Sequence, residues 1–478
     1  MQRRGEDAAL IWGTVKGTQG RDRIAITTTL DLREEENLVA VARAGSRDRT
    51  SALKPKQIKA AIAAFPGIDF TNAHCRAQRM MIGQLGTGGR IGVAIGVAGS
   101  GKSTLLKPLV RAWQDDGRMV HGIALAWRQS DDLAEACIAA RDTRAVASFL
   151  SGVKSGRLSL NRKTVVVIDE IGLLGTRQLN DILAARKENG FQLVMLGDPK
   201  QMQSVEAGPV IELLRRALAK NSLPELRSSL RQKDSEERET VLMFRNGQTG
   251  EAVRRKEANG TLQIAPGGYR EAIDHVAELW ERRRRENQDR PGVTISISAP
   301  TNAQAHDVSL AVREQRKNLG EIGTDKTWVT ATDVEGLHSY EPALAPGDRI
   351  RLFRRTNAKF SETATTKNIG RNGTVLEITD VRDEGLILRD PAGKEGLVAW
   401  SSLKDERSGR ILLAYGDALT TNTAQGNRHG THPRNPGRLP TRIGVWSIHV
   451  RESTSRAKFH RHVGRCGKGA DCRPAVSG

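Results

Sequence analysis

The chain has 478 residues, of which 38% are hydrophobic and 27% charged, with a net charge of +20 and 4% aromatics. That length holds two to four domains with a large buried core, and the clustering of the apolar residues excludes global disorder. Membrane insertion is excluded by the lack of any apolar run near 18 residues, and four cysteines without a CxxC pair exclude a disulfide framework and fit a reducing cytoplasm.

The basic surplus selects a polyanionic partner, most commonly nucleic acid. Residues 1–65 read as a lead-in segment. A strand-like run, ALIWGTVKGTQG, precedes an acidic-capped amphipathic helix within IAITTTLDLREEENLVAVARAG. The first motif follows, RIGVAIGVAGSGKSTLL from Arg90 to Leu106. Its apolar run, Ile91 to Val97, has strand character. It ends in a match to G-x-x-x-x-G-K-[ST] at every fixed position from Gly96 to Ser103, and helix-spaced apolar residues come next. Gly96, Gly99 and Gly101, with Ser100 and Thr104 beside them, let backbone N–H groups turn inward around phosphates, and the helix start near Lys102 adds its dipole. In this arrangement Lys102 holds the β- and γ-phosphates and Ser103 ligates Mg²⁺. ATP and Mg²⁺ are therefore the expected cofactors.

Thr164 to Ile168, TVVVI, has the pattern of a strand buried on both faces and ends in Asp169-Glu170. A carboxylate at the end of a parallel strand beside a phosphate loop is where the second Mg²⁺ contact comes from, which assigns Asp169. Its neighbour Glu170 is set to orient or deprotonate the attacking water. A third apolar strand, FQLVMLG, runs into the turn signal Asp198-Pro199 and then Lys200-Gln201. There the Gln201 amide can report the presence of a γ-phosphate.

These three stretches, in this order, resemble superfamily 1 helicases, and more narrowly the RecD-like helicase module of conjugative relaxases of the Ti-plasmid TraA type. The likeness runs from about Gly67 to Gly426. It implies an α/β fold of two RecA-like P-loop NTPase lobes with parallel sheets, plus a small β-barrel inserted in the second lobe. The expected bounds are 66–222 for the first lobe, 223–340 for the first part of the second, 341–408 for the barrel and 409–426 for the return segment. The resemblance further implies an adenine contact at Gln78 and a single-stranded DNA contact at Trp127, whose ring could stack on a base. Arg231, in ELRSSLRQKD, becomes the arginine that reaches the γ-phosphate from the second lobe. Thr301 and Asn302 after the strand VTISISA, and Thr420, Thr423 and Gln425 in the run ending at Gly426, become DNA contacts. Asn422 stands where the family usually has histidine.

Short alternating strands from about Ala345, separated by Gly, Asn and Asp turns, carry the barrel expectation. Arg349, Arg351, Arg354 and Arg355 there read either as a DNA brace or as a charged strand face. The run ERRRREN reads either as a phosphate track or as the solvated face of a helix starting at Tyr269. The tail, 427–478, carries nine Arg and two Lys against two acids and shows no buried-strand pattern. Its composition fits a frameshifted or replaced sequence, disordered or without the final strand and arginine of the second lobe, or a basic arm that folds on nucleic acid. No His–X–His cluster or tyrosine precedes the phosphate loop, so a relaxase domain is lacking and the family analogy implies a fragment or split gene product.

Three functions follow as expectations. The first is an ATP-dependent helicase or translocase on single-stranded DNA, cytoplasmic and working with other conjugation or relaxosome proteins, for which the family resemblance, not the chemistry, implies movement 5′ to 3′. The others are a DNA-stimulated ATPase or inactive remnant that does not unwind, and a nucleotide-gated DNA-binding subunit.

Overall fold

The computed structural model describes residues 9–16, 22–68, 73–97, 100–125, 129–130, 133–201, 208–219, 223–226, 235–262, 267–289, 293–333, 338–360, 366–390, 392–425 and 447–452. The chain divides into two compact units, Met1–Arg245 and Asn246–Gly478.

The first unit is built on a six-stranded sheet in which every pair is parallel. After a hairpin of β1 (Leu10–Lys16) and β2 (Asp22–Thr28), its strands are β3 (Ile91–Gly96), β4 (Met119–Ala124), β5 (Thr143–Ala145), β6 (Thr164–Ile168), β7 (Gln192–Gly197) and β8 (Glu225–Leu226). Their order across the sheet is β5-β4-β6-β7-β3-β8. Continuous apolar strands of this kind need cover on both faces, because successive side chains point to opposite sides. That is what the packing does. Val93, Ile95, Val166, Ile168, Leu193 and Met195 face one core, and Ala94, Val165, Val167, Val194 and Leu196 face another. The first is closed by α1 (Thr29–Arg47), α5 (Val146–Lys154), α6 (Thr176–Asn189) and α7 (Val210–Ala217). The second is closed by α2 (Pro55–Ala63), α3 (Ala73–Gly86) and α4 (Lys102–Asp115). Burying each branched side chain contributes roughly 1.5–3 kcal/mol, so the sheet is a rigid platform for its loops.

The lead-in segment folds with this unit. Thr28 caps α1, its Oγ1 accepting from Asp31 N at 3.1 Å, and Leu38 and Ala42 of α1 lie in the first core. Helix α8 (Ser235–Arg245) falls within this unit, its last residue reaching Asp198.

In the second unit, helices Tyr269–Glu286 and Asn302–Asn318 pack on a three-stranded sheet centred on Val293–Ala299. Ala418–Thr420 pairs with that strand in parallel. Ser447–Glu452 pairs with it antiparallel, from Ser447 opposite Ser298 to Glu452 opposite Val293. Within the tail this strand is the short stretch SIHVRE, where Ile448 and Val450 alternate with polar residues in a composition dominated by Arg, His, Pro and Gly. The antiparallel strands expected near 341–408 form a seven-stranded sheet that also takes in Leu413–Tyr415. Its order is Thr366–Gly370, Thr356–Lys359, Glu395–Ala399, Gly385–Arg389, Val375–Arg382, Arg349–Leu352, Leu413–Tyr415. Arg313, buried in helix Asn302–Asn318, holds Asp348 at the start of that sheet with bonds of 2.7 and 3.0 Å.

Candidate nucleotide site

Parallel register brings the C-terminal ends of β3, β7 and β6 side by side, with Ile95 opposite Gly197 and Ile168 opposite Met195. The loops that leave these ends converge, which is where open α/β sheets bind ligands.

The loop after β3 is shaped by residues without side chains. Gly101 has φ +77°, and a Cβ there would sit 2.6 Å from the Gln78 amide nitrogen. At Gly96 a Cβ would lie 2.8 Å from both Lys102 Cγ and Ser100 Oγ. Only glycine satisfies both positions. The Lys102 ammonium donates to Gly96 O at 3.3 Å and faces Glu170 Oε1 at 3.6 Å. Burial alone would lower its pKa, but the carboxylates of Glu170, Asp169 and Asp198 outweigh that and raise it, so the lysine stays charged. Ser100 Oγ is buried with no hydrogen-bond partner among the described residues.

Beyond β6, Glu170 takes a left-handed backbone, φ +56° and ψ +44°, unusual outside glycine. Its N–H donates to Asp169 Oδ1 at 2.9 Å. Strained residues of this kind cluster where a side chain must be aimed, and here the carboxyl is aimed at Lys102. Burial pushes its pKa up against the opposing pull of Lys102, and Asp169 and Asp198 push the same way as burial.

The loop after β7 holds an acid that the sequence pattern presents only as part of a turn. Asp198 is buried and accepts two bonds from Arg245 at the end of α8, 2.8 and 2.7 Å long. Burial would raise its pKa, but the Arg245 donors and charge hold it below the ordinary carboxylate range. The turn is also present, with Gln201 N donating to Asp198 O at 3.1 Å. An acid directly after an apolar strand is the signal that could have found it, the same one that marks Asp169.

Gln78 is buried on α3 and gives its amide N–H to Ser100 O at 2.8 Å, so its side chain braces the phosphate loop. His74 Nε2 lies 3.1 Å from the same oxygen. Thr104 lies on the first turn of α4. Gly99, Trp127 and Arg231 lie outside the described residues, as do the side chains of Ser103 and Gln425.

The nucleic-acid candidates of the second unit gather at one edge of its parallel strand pair. Thr420 is opposite Ala299, and Thr301 caps the helix that follows, Oγ1 accepting from Gln304 N at 3.2 Å. The Thr420 and Thr423 hydroxyls are 2.8 Å apart. Asn302 accepts from Arg351 and donates to Asp333, each at 3.4 Å. Two of the other arginines are engaged as well: Arg354 donates to Ser402 O, and Arg349 faces the buried Asp417 at 3.8 Å, whereas Arg355 is exposed. In the run ERRRREN, Glu281 is buried and accepts from Arg284 and Arg285, each at 2.8 Å, so part of its charge is spent within the helix.

A phosphate loop on a parallel sheet, with acids at two neighbouring strand ends, defines a P-loop NTPase fold. Residues 74–267 match the family model described as an AAA domain. The chain is also similar to part of TraA-type conjugal transfer proteins. It is 30% identical over 297 residues to the "Probable conjugal transfer protein TraA" of Sinorhizobium fredii (strain NBRC 101917 / NGR234), covering 61% of this chain and 25% of that protein. To the conjugal transfer protein TraA of Agrobacterium fabrum (strain C58 / ATCC 33970) it is 28% identical over 288 residues, 60% and 24% of the two chains. The chain thus spans about a quarter of the length of these curated relatives. Among solved structures, one of two coordinating Pif1 helicases at forked dsDNA aligns over 78% of this chain and 84% of that one, at 18% identity and a TM-score of 0.41. Domain III of the Thermotoga maritima replication initiation protein DnaA aligns over 55% and 98%, at 14% identity and a TM-score of 0.23.

Proposed function

We propose that the chain is an ATP-driven translocase on single-stranded DNA, serving as the helicase part of a conjugative DNA-transfer system. The observation that carries this reading is the position of Lys102, charged and buried between the phosphate loop and Glu170, with Asp169 and Asp198 among its electrostatic partners. The residues fit a Mg–nucleotide: a cradle that Cβ atoms would fill, a buried Ser100 hydroxyl without a partner among the described residues, and three acids facing one lysine and one arginine. Bound ATP supplies the phosphoryl group whose transfer to water drives movement.

In this reading Lys102 holds the β- and γ-phosphates, and Ser103 with Asp169 holds the Mg²⁺. Glu170 takes a proton from the attacking water, a task that its raised pKa suits. Gln201 reads the γ-phosphate, and Arg231 neutralises charge in the transition state. Gln78, through its bond to Ser100 O, links base recognition to the loop that binds phosphate. Trp127, Thr301, Asn302, Thr420, Thr423 and Gln425 form the track for single-stranded DNA. Conjugation proteins are the expected partners.

The test is ATP turnover with and without single-stranded DNA, for the parent and Lys102→Ala. Stimulation by DNA that disappears in Lys102→Ala is expected. ATP turnover indifferent to DNA would remove the translocase reading. DNA-stimulated turnover without strand separation would instead identify a DNA-stimulated ATPase.

A further inference from the structure

On the first unit, at the opposite end of β3 from the phosphate loop, a cleft of about 440 Å³ is lined by Arg43, Ser46, Arg47, Arg49, Arg216 and Leu218, among others. Its position follows from two close approaches. A Cβ on Gly45 would lie 2.4 Å from the side chain of Ile91, and one on Gly89 would lie 2.2 Å from Ser46 O. Ile91 is the first residue of β3, whereas the phosphate loop leaves its last. Six residues at about 3.3 Å each put the two sites on opposite sides of the domain.

All four arginines are exposed. None of them has a carboxylate partner among the described residues, although ion pairs elsewhere on this unit are common. Two acids close to them in sequence have other partners: Asp48 has Arg90 at 3.3 Å and Thr50, and Glu212 has Arg215 at 3.0 Å. Arginines at helix C-termini ordinarily offset the dipole, and the ends of α1 and α7 meet here, with Arg43 donating to Arg216 O and Ala217 O at 3.4 Å. Two helix ends carry only about −0.5 each, however, against four full positive charges. Arg43 and Arg47 are moreover like charges four apart on one helix face, an arrangement that works against the helix. The excess positive charge thus faces solvent.

We propose that this cleft is a second nucleic-acid site, which holds the phosphate backbone of DNA away from the motor's own track. Guanidinium groups match phosphate oxygens in a bidentate fork. The lining offers little apolar surface to anchor the side chains of an acidic peptide. A site at this end of the strands would keep hold of a DNA segment through the nucleotide cycle, because it shares no residue with the phosphate loop.

The test uses the full chain and a fluorescein-labelled 40-nucleotide strand, with anisotropy read over a range of salt concentrations. Arg47→Ala/Arg49→Ala is compared with Arg141→Ala/Arg157→Ala, which removes the same charge elsewhere on the same unit. Removing one arginine–phosphate pairing lowers the slope of log K against log salt by about 0.7 for single strands, so the cleft variant is expected to drop by roughly 1.4 in slope. Its affinity should fall about 5- to 10-fold, while the control changes less than about 2-fold. Nucleotide binding, read with a fluorescent ATP analogue, should be unchanged in both and reports that the unit is folded. Equal losses in the two variants would reduce the effect to net charge and overturn the proposal, as would no loss in either. Binding of a polyglutamate peptide that depends on Arg47 and Arg49, without a loss of DNA affinity, would also overturn it.

Discussion

The Arg245–Asp198 pair allows a direct test of how the site is held. Asp198 has a side chain only 1% exposed, and Arg245, at 19%, supplies two of its hydrogen bonds. Arg245→Ala takes from a buried carboxylate the guanidinium that supplies two of its hydrogen bonds, with Lys102 still acting on it from a distance. Breaking such a pair costs about 3–5 kcal/mol, far more than a surface ion pair contributes. For a unit of this size, about 2–4 °C of melting temperature is lost per kcal/mol, so a fall of about 6–20 °C is expected. Asp198→Asn in the Arg245→Ala background should recover part of it, because losing the arginine's donors costs a neutral amide less than a charge. The pH dependence has a definite sign. The folded pKa of Asp198 is below its ordinary value of 3.8, so the stability due to the pair is complete above that value and is lost as pH falls through the lowered one. The gap between parent and Arg245→Ala should therefore be widest near neutral pH and narrow in acid. Thermal unfolding by circular dichroism from pH 3 to 7 measures this. A loss under about 1 kcal/mol at pH 7, or no rescue by Asp198→Asn, would refute the argument that the pair is a buried anchor.

Other predictions rest on single residues or one segment. Gly101→Ala must enter a left-handed conformation at φ +77° and displace the Gln78 amide, so nucleotide binding should weaken about 10-fold or more, on a strain of roughly 1–2 kcal/mol, as read by a fluorescent ATP analogue. Glu170→Gln should abolish turnover while keeping nucleotide affinity. In the parent, the acid limb of the ATPase pH profile should lie above the ordinary glutamate value of 4.5, since burial raises this carboxyl. Deleting residues 447–478 removes the strand that pairs with Val293–Ser298 and bares a sheet edge. Light scattering should show aggregation of that variant, and an unaltered monodisperse protein would argue against the strand's importance.

What the sequence alone determined is local and chemical. The phosphate loop, the buried strands of β3, β6 and β7 and the acids after β6 are consecutive residues whose spacing states their geometry, because strand periodicity and glycine-dependent turns act over a few positions. The strand in the tail escaped for the converse reason, being too short to register against its basic surroundings. What only the tertiary structure decided are pairings between distant segments. Arg245 is 47 positions from Asp198, and Gln78 is 22 from Ser100. Arg43, Arg47, Arg49 and Arg216 look in the sequence like ordinary members of a strongly basic chain. Only packing α1 against α7 sets their charges around one cleft, where no acid among the described residues answers them. Electrostatics acts through space, so the charge that finds no partner becomes visible only once the chain has folded.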